Sequence, residues 1–460
     1  MTVEEAVTSK GNPPDRTPPG PTGSFLKTLS RMGDMRRLES LLESRQQYGD
    51  IVFTQLGPLR NYLLLSPEYV YHVLVTNQKN YVKGIGYNGF RLLVGQGLVT
   101  SEGDLWKRQR RMMSPHFTPV AVLDFSDMMA ETTEHMLARW DKAAQQGQPL
   151  KMDFEMMRLT MSIIGRAMFS LDLGEEPTEA GHAMDEAFAF IPKRSVNPFV
   201  PMSVPLPSHL RFNRSLKIID KFIYDQIEEG RRNPDRENFL STMLKIQDSE
   251  SGQGMSDQQL RDEVITLFFA GFETTARTLT WGWYLLNRHP EVMAKLAEEA
   301  DRVLPNGRPV SSADLERLTY TRMVVDETLR LYPPTSLLAR QNIEADVIGG
   351  YPIPPMSLIS LSPYVVHRYP DYWPDPGRFD PERFTPEAAA ARPKFAYIPF
   401  AAGPRVCIGN SFSLMEMVYA FAMVARRFNL KQVTDEIIPA EFAGTTHPTK
   451  PLYMQVSRRK

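Results

Sequence analysis

Cysteine is nearly absent: Cys407 stands alone among 460 residues, so an intramolecular disulfide is excluded. A lone cysteine is ordinarily a small buried hydrophobe, and only its surroundings can argue otherwise. Long apolar runs are also missing. The densest, Leu267–Phe272, is far too short to cross a bilayer. Met1–Lys10 mixes Glu, Thr and Lys without an apolar stretch, so neither a membrane span nor a secretory signal is expected, and the chain reads as a cytoplasmic, soluble monomer. Excess charge of one sign is lacking too: the net charge is −1, with both signs interspersed, which gives no basic face for a nucleic acid. No internal repeat or low-complexity tract is present.

A hydrophobic content of 42% is enough for a sizeable core. Residues 11–23, GNPPDRTPPGPTG, are dense in Pro and Gly, so residues 1–23 are expected to be a flexible, extended lead-in. Nothing later resembles a linker, and residues 24–460 read as a single domain. Most of it has helical periodicity. Ser256-Asp-Gln-Gln259 is a capping-box start, and the pattern runs to His289, where Pro290 ends it. Such a helix, apolar nearly all round at Val264–Phe272, must pass through the molecule's interior. A second runs from about Arg322 to Leu331 and stops at Pro333-Pro334. Strands are expected at Ile51–Leu56 and Tyr62–Leu65, around Val347–Ile353, and at Leu358–Leu361. The fold class is mainly α with a smaller β-rich region.

The context of Cys407 is unusual. In Pro399-Phe-Ala-Ala-Gly-Pro-Arg-Val-Cys-Ile-Gly409, two glycines allow the backbone to turn and to pass close to a flat ligand. A helical pattern, Phe412–Phe428, follows, and its positive end together with Arg405 favours a thiolate. This segment resembles the cysteine loop of the cytochrome P450 superfamily, Phe-x-x-Gly-x-Arg-x-Cys-x-Gly. Phe400, Gly403, Arg405, Cys407 and Gly409 match it in full. The resemblance extends from about Pro18 to about Gln455. It implies the P450 fold, haem b (iron protoporphyrin IX) as cofactor, Cys407 as axial ligand and metal-binding residue, and Phe400 packed beside the sulfur. Where the family often has Ala six residues after the cysteine, Ser413 stands here.

In the long helix, Ala270-Gly-Phe-Glu-Thr-Thr275 places a glycine and two threonines where helix propensity is weakest. Threonine hydroxyls can bond to the preceding turn and open the helix. Glu273 is costly to bury without a purpose. The segment resembles the family's acid–alcohol pair, which implies Glu273 and Thr274 as the catalytic residues that hold dioxygen and deliver protons to it. Ala270 and Gly271 would leave room above the haem.

Glu327-x-x-Arg330 puts an acid and a base on one helical face. With Arg383, it resembles a buried structural trio beneath the cysteine loop. Trp106, Arg110, Arg340 and Arg405 match positions that serve the haem propionates. The glycine-rich segment Gly84–Leu98 looks like a flexible loop over the haem, and Tyr87, Phe90, Leu93, Phe268, Leu337 and Leu338 are candidate substrate-pocket residues. Ala187–Phe212, broken by prolines, resembles a mobile lid.

The implied reaction is a haem-thiolate monooxygenase reaction: one oxygen atom of dioxygen enters a small lipophilic substrate, a fatty acid, steroid or terpenoid. Some 50 residues follow Cys407, too few for a flavin or iron–sulfur domain. Electrons are therefore expected from a separate ferredoxin or flavodoxin and its NAD(P)H reductase, docking on a basic patch of Lys107, Arg108, Arg111, Arg426 and Arg427. A peroxide-driven peroxygenase and a non-catalytic haem sensor or carrier are the alternatives; the acid–alcohol pair argues against both.

Overall fold

Alternating apolar residues fold Ile51–Leu56 (β1) back on Leu59–Leu64 (β2) as an antiparallel pair, with Ile51 opposite Leu64. The computed structural model describes residues 17–21, 37–56, 58–174, 179–196, 200–305 and 308–459. After β2 come the short strand Tyr81–Val82 (β3) and helices Asn88–Val94 (α1), Gly103–Met113 (α2), Met152–Phe169 (α3), Glu179–Val196 (α4), Pro207–Arg232 (α5) and Asp257–Arg288 (α6). Helix Thr319–Leu331 (α7), strands Leu338–Asn342 (β4) and Leu358–Leu361 (β5), and helix Asn410–Arg427 (α8) follow. The architecture is mainly α with small sheets, as expected.

The chain forms two compact units, each threaded from three segments. The first comprises Met1–Tyr87, Met323–Cys407 and Glu436–Lys450. Its five-stranded sheet has the order β1-β2-β5-β4-β3. Strands β2 and β5 run parallel, Asn61 opposite Leu358, while β4 is antiparallel to both β5 and β3. Ile51, Tyr62, Leu64, Val70, Ile359 and Leu361 bury its apolar face. Thr17–Pro21 runs without regular structure, and Pro19 O accepts from Phe53 N–H at 2.9 Å. The expected strand Val347–Ile353 is two strands, Asp346–Ile348 and Tyr351–Ile353. Gly349 and Gly350 turn the chain between them at φ 58° and 80°, the left-handed pair that a two-residue hairpin requires.

The second unit comprises Asn88–Arg322, Ile408–Asp435 and Pro451–Lys460. Its axis is α6, which begins where the sequence predicts: Ser256 Oγ accepts from Gln259 N–H at 3.2 Å, and the helix ends before Pro290. Most of α6 is buried, with α3 and α5 packed against it. Helix α8 starts at Asn410, two residues earlier than its apolar pattern suggests, and buries an unbroken run from Met415 to Ala425. Among the described residues, no helix is long and apolar enough to cross a membrane.

Candidate active site

Three backbone hydrogen bonds and two left-handed residues shape the cysteine loop. Ala401 N–H donates to Ile398 O (3.1 Å), Val406 N–H to Gly403 O (3.0 Å), and Cys407 N–H to Phe400 O (2.9 Å). Ala401 and Gly403 adopt φ 60° and 70°. A Cβ on Gly403 would stand 2.1 Å from Leu74 O, so only glycine permits this approach. The loop is fixed, yet the Cys407 thiol is exposed. A cysteine kept for packing would be buried; this one is presented. Gly409, by contrast, has φ −87°, and a Cβ there would meet no protein atom within 4 Å. Neither the turn nor the surrounding chain demands glycine at 409, which leaves its face open to a flat ligand.

Glu327, Arg330 and Arg383 meet in one buried network. Arg330 Nε and Nη2 donate to the two Glu327 oxygens at 2.6 and 2.7 Å, and Arg383 Nε lies 3.6 Å from Glu327 Oε1. Burying such a pair is costly unless the remaining donors are satisfied. Here Arg330 Nη1 donates to His367 O (3.0 Å) and Pro376 O (2.8 Å), and Nη2 to Arg378 O (2.9 Å). His367 Nε2 in turn accepts from Ile398 N–H at 2.9 Å, which carries the network to the residue that anchors the loop. Burial beside Arg330 and Arg368 pushes the His367 imidazole down to about 3, so it stays neutral and keeps this acceptor.

Arg340, buried on β4, is joined by Tyr87 and Lys83. Lys83 Nζ lies 4.3 Å from the centre of the Tyr87 ring. Burial lowers the Lys83 ammonium to about 8, with Arg340 and Arg405 adding repulsion against the pull of Tyr87. Burial alone would raise the Tyr87 phenol, but Lys83 and Arg340 outweigh it and hold it at about 8. Two of the four expected propionate donors, Arg340 and Arg405, thus belong to one cationic cluster. Trp106 and Arg110 stand one turn apart on one face of α2, in the other unit. Two expectations are corrected here. Gly84–Leu98 is largely helical, a 3-10 turn at Gly84–Tyr87 followed by α1. Tyr87 faces cations instead of an apolar wall.

On α6, Thr274 Oγ1 donates to Ala270 O at 2.9 Å and Thr275 Oγ1 to Gly271 O at 3.1 Å. Thr160 Oγ1 on α3 donates to Phe272 O at 2.9 Å. Three hydroxyls therefore draw on the carbonyls of this single turn. Glu273 is partly exposed and lies 3.5 Å from Arg277, one turn on. Gly271 does not open space for a ligand: a Cβ there would come within 2.8 Å of Ile164 Cδ1 on α3. Phe268 shares that face, buried against Phe169 and Phe272, and is core, not pocket wall. Leu93 is likewise fully buried, its carbonyl accepting from Arg261 at 2.8 Å. Phe90 lies 6.0 Å from Phe269, ring to ring. Leu337 and Leu338 are half-buried, Leu338 against the sheet core. Asn197–Phe199 of the expected lid lie outside the described residues.

Sequence reasoning missed Glu263. It shares a helical face with Ala270 and Thr274, being seven and eleven residues before them. The residue is fully buried; Oε2 accepts from Leu98 N–H at 3.0 Å and Oε1 has no protein partner. Burial pushes its carboxyl up to about 8, with Asp262 adding to the effect. The signal was an acidic pair, Asp262-Glu263, running directly into the apolar stretch.

Four of the five residues of the expected basic docking patch are engaged with neighbouring groups. Arg111 pairs with Asp248 (2.7 Å) and Glu250 (2.8 Å), Arg427 with Glu134 (2.9 Å) and Asp141, and Lys107 with Asp104 (2.8 Å). Arg108 donates to Gln259 at 3.1 Å and Gly254 O at 2.8 Å. Arg108 and Arg111 hold the loop before α6, Arg427 fastens α8, and Lys107 pairs within its own helix, so four of the five cations have structural partners.

Among the described residues, no group of three or more His, Cys, Asp or Glu could hold a metal ion. An iron carried inside an organic ring and tethered by one thiolate suits what is present: an exposed thiol, an open Gly409 and a cationic seat for carboxylates. A family model, "Cytochrome P450", matches residues 17–456. Cyclooctatin synthase of Streptomyces melanosporofaciens is 35% identical over 402 residues, covering 86% of both chains. Cyclooctat-9-en-7-ol 5-monooxygenase of the same organism is 34% identical, covering 92% of both. Pentalenene oxygenase of Streptomyces avermitilis is 31% identical over 90% of this chain and 92% of its own. The crystal structure of the cytochrome P450DA heme domain superposes with a TM-score of 0.90 at 26% identity, over 96% of this chain and 98% of that one. The chain belongs to the cytochrome P450 family and is a monooxygenase with haem b as its cofactor.

Proposed function

We propose that this monooxygenase hydroxylates a terpenoid, with Cys407 as the thiolate that binds the haem iron. The observation that carries the ligand assignment is the sole thiol of the chain, exposed on a loop whose backbone is fixed on both sides. The substrate class rests on relatives that oxidise terpenoids and match along nearly their whole length. Haem b on a thiolate supplies reductive activation of dioxygen.

The chain's own residues manage protons. The Thr274 hydroxyl donates to Ala270 O, which keeps its lone pairs available to accept from a water or a reacting hydroxyl. Glu273 is partly exposed and held by Arg277, so it exchanges protons with solvent. Neighbouring positions on a helix point about 100° apart, so transfer from Glu273 to Thr274 runs through water. Electrons come from a separate ferredoxin or flavodoxin with its NAD(P)H reductase, and the enzyme acts as a cytoplasmic monomer.

The test is a titration of ferric protein with a polycyclic terpene hydrocarbon, a polycyclic terpene alcohol, a medium-chain fatty acid and a steroid, following the Soret band. A saturable low-to-high-spin shift with the terpenes alone is expected. A shift with the fatty acid or steroid and none with either terpene would reassign the substrate.

A further inference from the structure

Helices α3 and α6 run antiparallel along each other: Thr160 meets Phe272, Ile164 meets Gly271, and Phe169 meets Phe268. The last two contacts are apolar, whereas the first is a hydrogen bond. Thr160 is 1% exposed, and its hydroxyl donates to Phe272 O at 2.9 Å. Neither group needs this bond to be satisfied. Phe272 lies inside a continuous helix, where its carbonyl already accepts from the backbone N–H four residues on. The Thr160 hydroxyl has a second acceptor in its own helix, Met157 O at 3.2 Å. An apolar side chain would fill the interface without burying a hydroxyl. The single proton of that hydroxyl nevertheless has its nearer acceptor across the interface, on α6. What the bond adds is direction. Apolar contact is non-directional and tolerates sliding and rotation, whereas a hydrogen bond weakens steeply off its axis. Its acceptor belongs to the peptide group that joins Phe272 to Glu273, immediately before the acid and the hydroxyl of the site. Phe272 stands two positions, about 200°, from Thr274 around the helix, so Thr160 grips this turn from behind.

We infer that Thr160 is a positioning residue for the reaction: its hydroxyl holds this turn of α6 in rotation and register, and so sets where Glu273 and Thr274 present their proton-handling groups. This rests on the roles proposed above for those two residues. Thr160 transfers no proton itself. It acts through the Phe272–Glu273 peptide, and small displacements of a reacting group are enough to slow a step that depends on alignment.

The experiment compares holoenzyme carrying Thr160→Val, Thr160→Ser, Thr274→Ala and, as a control, Thr133→Val, which removes a buried hydroxyl bond to Met129 O within helix Ser126–Gln146. Two quantities are read: peroxide released per NAD(P)H consumed with a surrogate ferredoxin and its reductase, and hydrogen–deuterium exchange of the backbone across residues 270–276. One net hydrogen bond is worth on the order of fivefold. Thr160→Val is therefore expected to exchange about fivefold faster across that turn than the parent, with peroxide per NAD(P)H raised by a similar factor and substrate affinity unchanged. Thr160→Ser should restore both quantities, and Thr133→Val should match the parent in both. If valine prevents haem incorporation, Thr160→Ala removes the same donor and takes its place. Parent-like coupling in Thr160→Val would overturn the inference. So would equal uncoupling in Thr160→Ser, or faster exchange spread evenly over all of α6, since either would mean a general loss of packing. Thr274→Ala separates the two levels: if it stays tightly coupled, the reading of Thr274 fails and the inference with it, whereas if it uncouples while Thr160→Val does not, Thr160 alone is refuted.

Discussion

Thr274 and Thr275 are adjacent threonines in the same turn of α6, each bonded to the carbonyl four residues back, yet they face different surroundings. Thr275 is buried; Thr274 is partly exposed, on the face shared with Ala270 and Glu263. A hydroxyl that only relieved the helix would be interchangeable between the two positions. Thr274→Ala is therefore expected to uncouple the enzyme: product formation falls by on the order of 10²-fold, the low end of what a positioned group in proton transfer contributes, while NAD(P)H oxidation persists as peroxide. Thr274→Ser should keep most of the coupling. Product and peroxide counted against NAD(P)H consumed decide it, and a tightly coupled alanine variant would remove Thr274 from the chemistry.

At the scale of elements, α3 and α6 approach closely enough that Gly271 has Ile164 Cδ1 within 2.8 Å of where its Cβ would be. Two effects compete in Gly271→Ala. Helix propensity gains about 1 kcal/mol, while overpacking costs roughly 1–3 kcal/mol. The clash is with the far end of Ile164, so shortening that side chain should decide the sign. Gly271→Ala alone is expected to lower the melting temperature, and Gly271→Ala with Ile164→Val to restore it; additive losses in the double variant would show that the two residues do not compete for the same space. This pair also shows what was legible beforehand. The boundaries of α6 and β1 were readable because capping at Ser256, the stop at Pro290 and alternation in β1 are local signals. The cysteine loop and the Glu327–Arg330–Arg383 trio were readable because their residues form recognisable patterns. Gly271 was misread as open space, and Gly84–Leu98 as a flexible loop, because a glycine's spacing looks the same whether it serves mobility or close approach. Only the neighbouring element, Ile164 in one case and Ala339 in the other, distinguishes them. Pairing within the basic patch was hidden for a similar reason: Asp248, partner of Arg111, lies 137 positions away in sequence.

Across the whole molecule, buried titratable groups pull stability in opposite directions with pH, and His367 and Glu263 form one such pair. His367, in the unit bearing Cys407, is held neutral at about 3 against an ordinary 6.5. The folded state binds fewer protons there than the unfolded chain, so that contribution is complete above pH 6.5 and is lost as pH falls towards 3. Glu263, in the unit bearing α6, is held protonated up to about 8 against an ordinary 4.5. Its folded state binds more protons, so its contribution is complete below pH 4.5 and is lost as pH rises through 8. Between 4.5 and 6.5 these two slopes cancel, and above 6.5 that of Glu263 is left. Burial raises the Glu416 carboxyl on α8 as well, so the alkaline loss is shared. The part of Glu263 has a local cause: its ionisation places an unpaired charge against Asp262, in the clamp where Leu98 and Gln96 donate backbone N–H groups to the two acids. Glu263→Gln keeps an acceptor for Leu98 but cannot ionise. Urea unfolding followed by far-UV circular dichroism should show the parent losing about 2 kcal/mol more than the variant between pH 6.5 and pH 8, at roughly 1.4 kcal/mol per pH unit. The acid arm should be unchanged because His367 is untouched. An alkaline arm equally steep in Glu263→Gln would mean that Glu263 is already ionised in the folded protein, and that Oε1 has found a partner charge or proton donor elsewhere in the clamp.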